Sequence, residues 1–275
     1  MNKIIPFTKN IKLNKASLPL VIGFFDGIHK GHQKLFKNLN RHKFNILTFI
    51  NVPGKPNNFI FTDKQRIENL GNLLPNSIFV LDLQKSNMQA MTFVYILCHK
   101  IKPSCVVVGN DFKFGRARSG DVKQLKKYFN VRNIPIQSSY KTSQIKLSLL
   151  NGDVKFVNES LTSPYTIIGK VQHGKHQGCK LGYRTANIAL PNNIVQPKEG
   201  SYLGYTYFDG KKYKSAVFIK NHLLETHLFN FNKNIYGKTI NVVLIKYHKQ
   251  FDKVHSFNEL KKIINIKVKE IKCAF

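Results

Sequence analysis

Carboxylates are scarce in this sequence: 14 Asp and Glu stand against 44 Lys and Arg in 275 residues, for a formal net charge of +30. The basic residues are scattered from end to end and no nucleic-acid recognition module accompanies them. The charge therefore reads as a drift of the whole composition toward Lys, Asn and Ile rather than as a designed basic face. Its expected consequence is a positive field that speeds the capture of small anionic substrates. Nucleic acid is not expected as the primary partner, although a basic nucleic-acid-binding protein stays open as an alternative that fits the charge alone. Cysteine is also sparse. Cys98, Cys105, Cys179 and Cys273 lie far apart with no C-x-x-C spacing, which argues against a zinc knuckle and a disulfide framework and for a reducing compartment. No apolar run approaches the roughly 20 residues of a membrane-spanning helix. The stretch Leu18 to Phe25 contains Pro19, ends at Asp26 and lacks a small-residue cleavage site, so no signal peptide is expected. There is no internal repeat and no low-complexity linker. The expectation is a soluble, cytoplasmic protein.

The sequence does have enough apolar content, 42%, to build real cores. At about 150 residues per domain the length suggests two domains or one large one. Through the first half, apolar runs alternate with helical patterns, as a parallel sheet with crossover helices requires. Leu18 to Phe24, Phe44 to Ile50, Ser77 to Leu81 and Cys105 to Gly109 read as buried strands, with a further strand at Ile134 to Gln137. Thr62 with Gln65 forms a capping box for a helix running to about Leu74. Thr92 to Lys100, Asp121 to Phe129 and Ser143 to Asn151 read as further helices, the last stopping at Gly152. After about residue 160 the texture changes to short strands separated by Gly, Asn and Pro: Tyr165 to Val171, Ser201 to Phe208, Lys212 to Ile219, Glu225 to Phe229 and Thr239 to Tyr247. These suggest a small antiparallel barrel, with a helix from Ser256 packed on it.

The strongest local signal is Gly23-Phe24-Phe25-Asp26-Gly27-Ile28-His29-Lys30-Gly31-His32, where the first strand passes into the first helix. Glycines let the backbone approach a phosphate, and the helix N-terminus supplies unpaired N–H groups. His29 and His32 occupy neighbouring positions of that turn, where both can donate to one phosphate group. The pattern reads as a nucleotide phosphate site.

This G-x-F-D-G-x-H-x-G-H run resembles the adenylyltransferase motif of the bacterial bifunctional riboflavin kinase and FAD synthetase family. Further matches follow in the family's order: Thr48-Phe49 with Pro53, Phe93-Val94, then Val107 to Arg116 with Gly120-Asp121. The Val107 to Arg116 element resembles V-G-x-D/N-F-x-F-G, which in the family contributes to nucleotide and flavin binding. Lys141-Thr142-Ser143-Gln144-Ile145-Lys146 before Gly152-Asp153 resembles the family's phosphate-contacting I-S-S-T-x-I-R. Here the arginine has become Lys146, which keeps the charge but loses the bidentate fork. Gly169 to Gly174 and Gly178 to Asn187 are similar to the riboflavin kinase signature G-x-V-x-x-G-x-x-x-G-R-x-L-G-F-P-T-A-N. Leu224 to Phe231 with Tyr236-Gly237 resembles E-x-H-x-x-D-F with its Y-G. Departures are Val52 for a histidine, Cys179 for an arginine, Arg184 for the proline, Lys220 for a glycine, and Lys246 and His248 for an arginine and a glutamate.

The resemblance implies a Rossmann-like α/β nucleotidyltransferase domain over residues 1–158. It implies a riboflavin-kinase-type antiparallel β-barrel with a C-terminal helix over 159–275. The implied activity is FAD biosynthesis: riboflavin takes the γ-phosphoryl group of ATP to give FMN, and FMN is adenylylated by a second ATP to FAD and pyrophosphate. By the same resemblance Glu225 is the kinase's general base, Thr185 and Asn187 hold Mg²⁺, and Gly174 and Gly178 belong to a loop over the ATP phosphates. In the first domain Gly23, Phe25, Asp26, Gly27, Gly31, Asn110, Asp111, Ser143 and Lys146 bind nucleotide, while His29 and His32 stabilise phosphate charge. Two further alternatives stay open: an adenylyltransferase whose kinase barrel has degenerated, and a related H-x-G-H transferase with another phosphorylated acceptor.

Overall fold

The central strands of the first parallel sheet contribute to two cores at once. A computed structural model describes residues 3–11, 17–37, 39, 43–53, 58–135, 140–173, 184–250 and 270–273. The chain divides into two compact units, Met1–Pro56 with Phe61–Lys141, and Asn57–Ile60 with Thr142–Phe275.

In the first unit the elements run β1 (Lys3–Pro6), β2 (Leu20–Ile22), α1 (Lys30–Lys37), β3 (Asn45–Ile50), α2 (Asp63–Gly71), β4 (Ser77–Asp82) and α3 (Ala90–Ile96). Helix α3 passes directly into a π-helical turn at Leu97–Ile101. There follow β5 (Val106–Gly109), the short β6 (Lys113–Phe114) and β7 (Gly120–Asp121), α4 (Val122–Lys126) and β8 (Val131–Ile134). The sheet has the order β1-β4-β3-β2-β5-β8, and every pairing in it is parallel. Successive side chains of a strand point to opposite faces. Accordingly Leu20, Ile22, Leu47, Phe79, Leu81, Val106 and Val108 enter one core, and Val21, Ile46, Ile78 and Val107 enter the other. Burial on both faces is why these strands read as continuous apolar runs.

The order reverses between β2 and β5: the chain moves outward from β2 through β3 to β4 on one side, and from β5 to β8 on the other. In such sheets the carboxyl ends of the strands flanking the reversal leave a crevice where ligands bind. Gly23 and Gly109 stand at those two ends.

In the second unit, α5 (Thr142–Asn151) and α6 (Val154–Ser160) precede β9 (Thr166–Lys170), β10 (Ala186–Ala189), β11 (Gly200–Phe208), β12 (Lys211–Lys220), β13 (Leu223–Leu228) and β14 (Thr239–Lys249). The antiparallel order is β10-β13-β12-β11-β14-β9. A bridge between Gln172 and Asn187 links the two ends, so the sheet curls into a near-closed barrel. Inside it Thr206, Ser215 and Thr226, all fully buried, satisfy one another through hydroxyl contacts of 2.9 Å. Asn158 of α6 fastens the helix to the barrel: its Nδ2 donates to the Leu244 carbonyl at 2.9 Å, and its Oδ1 accepts from the Tyr165 N–H at 2.8 Å.

The four main parallel strands, the capped helix and the five barrel strands lie where the pattern places them, with shorter ends for β2. The capping box is complete: Thr62 accepts from the Gln65 N–H while the Gln65 side chain reaches back to the Thr62 N–H. The last strand of the first sheet is Val131–Ile134, displaced toward the N-terminus from the expected Ile134 to Gln137; residues 136–139 lie outside the described residues. Of the C-terminal helix, residues 270–273 are helical and Ile271 is buried against Leu203, Ala216 and Phe229; its expected start at Ser256 lies outside the described residues.

Candidate active sites

The first unit's motif occupies the crevice that the strand order leaves open. After β2 the backbone takes the left-handed conformation at Phe25 (φ 54°) and again at Gly27 (φ 74°), folding the chain back before α1 begins. The Phe25 ring is buried and packs edge-on to His32 at 5.4 Å and against Phe36 at 5.5 Å, which holds a conformation a side-chain-bearing residue rarely adopts. Gly31 is required by close approach: a Cβ there would lie 2.9 Å from His29 Nδ1 and 3.0 Å from the Tyr140 carbonyl oxygen.

His29 and His32 stack with ring centroids 3.7 Å apart. Burial and the neighbouring ring lower His29 to a pKa of about 3, and burial lowers His32 to about 4 despite its Gly27 contact and the nearby Asp26 and Asp111. Both are neutral at pH 7. Their tautomers follow from their partners. His29 Nδ1 accepts from the His32 N–H at 3.3 Å, so the proton of His29 is on Nε2. His32 Nδ1 lies 3.0 Å from the Gly27 carbonyl and must donate to it, which leaves a lone pair on Nε2. In the neutral state His29 is thus a donor and His32 an acceptor, rather than a pair of donors.

A cavity of about 640 Å³ opens beside these rings, within the range of small-molecule sites. Its walls come from the strand ends: Gly23 to Phe25 after β2, Phe49 at the end of β3 with Val52 and Pro53 beyond it, and Gly109 at the end of β5 with Asp111 to Gly115 beyond it. Phe112 lies nearly parallel to Phe114 (5.9 Å, 16°) and to Phe49 (6.4 Å, 29°), making a flat aromatic surface. Gly23, Phe25, His32 and Asp111 line this cavity; Asn110 is exposed at the start of the same turn, and Asp26, Gly27, His29 and Gly31 sit buried in the adjoining turn. Ser143 and Lys146 are on α5 in the second unit, where the Lys146 ammonium lies 5.7 Å from the Phe59 ring centroid.

Sequence patterns pass over Arg66 of α2. It is 1% exposed, and its guanidinium reaches the Phe24 carbonyl at 2.6 Å, the Phe49 carbonyl at 2.9 Å, Thr48 Oγ1 at 3.2 Å and Asp63 Oδ1 at 2.6 Å. The only sequence signal is its place in the first turn after a capping box.

The barrel carries a second cavity, of about 330 Å³, lined by Val171, Arg184 to Asn187, Leu228, Phe231 and Lys233 to Tyr236. Antiparallel pairing sets Asn187 of β10 directly opposite Glu225 of β13. Thr185 Oγ1 donates to Glu225 Oε2 at 3.4 Å. Glu225 is half-buried, and burial raises its pKa above the ordinary carboxylate value while the Thr185 hydrogen bond opposes that rise. Asn187 Oδ1 is buried with no hydrogen-bond partner among the described residues. An uncompensated hard oxygen beside a hydroxyl and a carboxylate has the chemistry of a Mg²⁺ ligand, so these residues fit that ion.

Arg184, the cation in place of proline, is accommodated. Its Nη1 donates to Asn232 Oδ1 at 2.7 Å, and its carbonyl lies 2.9 Å from His227 Nδ1. Gly174, Gly178 and Cys179 lie outside the described residues.

Comparisons with known proteins agree in both halves. A family model described as FAD synthetase matches residues 12–148, and one described as riboflavin kinase matches residues 161–275. The bifunctional riboflavin kinase/FMN adenylyltransferase of Buchnera aphidicola subsp. Schizaphis graminum is 32% identical over 99% of this chain and 99% of its own. A trifunctional RibF/MnmA protein of Mycoplasmoides gallisepticum is 36% identical over 96% of this chain, which spans 41% of that longer protein. Among solved structures, one described as a macrolide-efflux protein from Streptococcus pneumoniae superimposes with a TM-score of 0.84 at 25% identity, covering 98% of each chain. That description belongs to the streptococcal protein; what the two share is the fold. With two cavities on two folds, family models matching both halves and the Buchnera enzyme aligned from end to end, the chain belongs to the bifunctional riboflavin kinase/FMN adenylyltransferase family.

Proposed function

We propose that this protein makes FAD in two steps, with residues 159–275 phosphorylating riboflavin and residues 1–158 adenylylating the FMN so formed. The observation that carries the reading is the pairing of two built cavities with two different chemistries. One is a carboxylate beside hard oxygen ligands in a barrel; the other is a neutral histidine pair at the switch point of a parallel sheet.

In the barrel, Glu225 accepts the proton of the ribityl hydroxyl as that oxygen attacks the γ-phosphorus of ATP, releasing ADP and FMN. Its raised pKa makes it a stronger base than an exposed carboxylate. Thr185 and Asn187 would hold Mg²⁺, which when bound neutralises charge on the phosphates. Gly174 and Gly178 are assigned to the phosphate-covering loop on the motif alone.

In the first unit, the FMN phosphate oxygen attacks the α-phosphorus of a second ATP and pyrophosphate leaves. No protein nucleophile is required. His29 donates through Nε2 to phosphate oxygens, and the N–H groups around Gly27 and Gly31 stabilise the charge that develops. Gly23, Phe25, Asp26, Asn110 and Asp111 shape the nucleotide pocket. Ser143 and Lys146 are assigned to the ATP phosphates on the motif alone. The flat surface of Phe49, Phe112 and Phe114 suits a planar ring system. We place the protein in the cytoplasm, where ATP is plentiful; among the described residues no helix is long and apolar enough to cross a membrane.

Single variants test the division of labour. Glu225→Gln is expected to slow riboflavin phosphorylation by about 100- to 10,000-fold while FMN adenylylation continues. His29→Asn is expected to do the reverse. Loss of both activities in either variant, or of neither in both, contradicts the assignment.

A further inference from the structure

Arg66 belongs to none of the motifs that carry the chemistry, yet its cation is buried at 1% exposure. Burying a charge is costly unless its hydrogen bonds are strong and well directed. Of the four acceptors around Arg66, two are backbone carbonyls and two are side-chain oxygens, and its Nε has no hydrogen-bond partner among the described residues. Nη2 donates to the Phe24 carbonyl at 2.6 Å and to the Phe49 carbonyl at 2.9 Å, Nη1 pairs with Asp63 at 2.6 Å, and the guanidinium lies over the Phe24 ring at 3.8 Å. Thr48 Oγ1 completes the knot, accepting from Arg66 Nη2 at 3.2 Å and donating to the same Phe24 carbonyl at 3.1 Å.

The two carbonyls belong to different segments of the chain. Phe24 is in the turn after β2 that leads to His29 and His32, and Phe49 is at the end of β3; both line the 640 Å³ cavity, whereas Arg66 does not. Nη2 alone ties both walls from behind while Nη1 is anchored on Asp63, so the planar guanidinium spans from the start of α2 to the two carbonyls, and a lysine's single ammonium cannot hold Asp63 and both carbonyls in that fixed plane. The capping box at Thr62 fixes where α2 begins and thus where Arg66 stands.

We infer that Arg66 is a positioning residue for adenylyl transfer, locking the β2–α1 turn to the end of β3 so that the cavity walls and the histidine pair keep one geometry. The inference rests on assigning that step to the first unit.

The test compares wild type, Arg66→Lys, Thr48→Val and the double variant. FAD formation is measured from saturating FMN and ATP, riboflavin phosphorylation in the same preparations, and folding by thermal melting under circular dichroism. Arg66→Lys is expected to lower kcat for FAD formation about 100-fold, the size of effect a displacement of about 1 Å produces. Thr48→Val is expected to lower it about 10-fold by the same route. The double variant should fall no further than Arg66→Lys, because both side chains hold one carbonyl. Riboflavin phosphorylation stays at the wild-type rate. A purely structural role would lower the melting midpoint while leaving kcat per folded molecule unchanged, and that result overturns the inference. If Arg66→Lys does not fold, Thr48→Val decides, and wild-type kcat there overturns it. A wild type that makes no FAD from FMN removes the assignment of the first unit and this inference with it; an active wild type with unaffected variants removes this inference only.

Discussion

Glu225 shows how much one residue's setting decides. A carboxylate on the half-buried face of a strand is disfavoured as an anion, and burial raises its pKa; only the Thr185 hydroxyl pulls the other way. A general base must be ionised to act. The sign follows: riboflavin phosphorylation should fall as pH is lowered through the raised Glu225 pKa, with an apparent midpoint above the ordinary value of 4.5, as a kcat profile against pH would show. Arg184 makes the complementary case. Its identity as a departure is plain in the sequence, but its partners, Asn232 and His227, lie more than 40 positions away, so its accommodation is visible only in the fold. Arg184→Ala removes one exposed hydrogen bond worth about 0.5–1.5 kcal/mol. The expected loss in kinase kcat/KM is roughly 3- to 10-fold, and a loss beyond about 100-fold would mean that the guanidinium contacts substrate. Gly31 and the histidine tautomers divide the same way. That glycines recur in this motif is readable in the sequence, whereas the contact of Gly31 with the His29 ring and the donor and acceptor roles of the two rings are visible only in the fold.

At the scale of elements, legibility follows burial and length. Strands β2 to β5 are buried on both faces and stand out as apolar runs. Strand β1 is a four-residue edge strand with mostly exposed side chains, and nothing in its pattern separates it from a loop. Helix α6 is seven residues long and begins immediately after the Gly152 stop, with Asp153 as its cap, so it merges with the end of α5 in a sequence reading. Strand β10 is hidden inside the T-A-N signature, where glycine spacing and ligand residues dominate the pattern. Helix α2 is the clearest success, because the Thr62 and Gln65 pair is a local device with a local signature. Thr62→Ala should cost about 1 kcal/mol of stability, measurable by denaturant melting. It should also slow FAD formation more than riboflavin phosphorylation, since the first turn of α2 carries Arg66.

For the whole molecule, acid should weaken the adenylyltransferase half, which carries two buried histidines with strongly lowered pKa values. His29 and His32 have folded-state pKa values of about 3 and about 4, below the unfolded value of 6.5. Between those values the unfolded chain binds protons that the folded one does not, so stability declines as pH falls below about 6.5. The melting transition of the adenylyltransferase half should therefore shift downward from pH 7 to pH 5, and less so in a His32→Asn variant. The +30 charge has its own signature: if its field speeds substrate capture, kcat/KM for ATP should decrease with ionic strength in both reactions. The central claim is that one chain carries two working sites in sequence. The most direct measurement is a time course of the purified protein with riboflavin, ATP and Mg²⁺, resolving riboflavin, FMN and FAD, beside a reaction started from FMN. The account predicts FMN followed by FAD after a lag in the first reaction, and FAD without a lag in the second. FAD from FMN alone would contradict the kinase assignment, and no flavin product in either reaction would contradict the account as a whole.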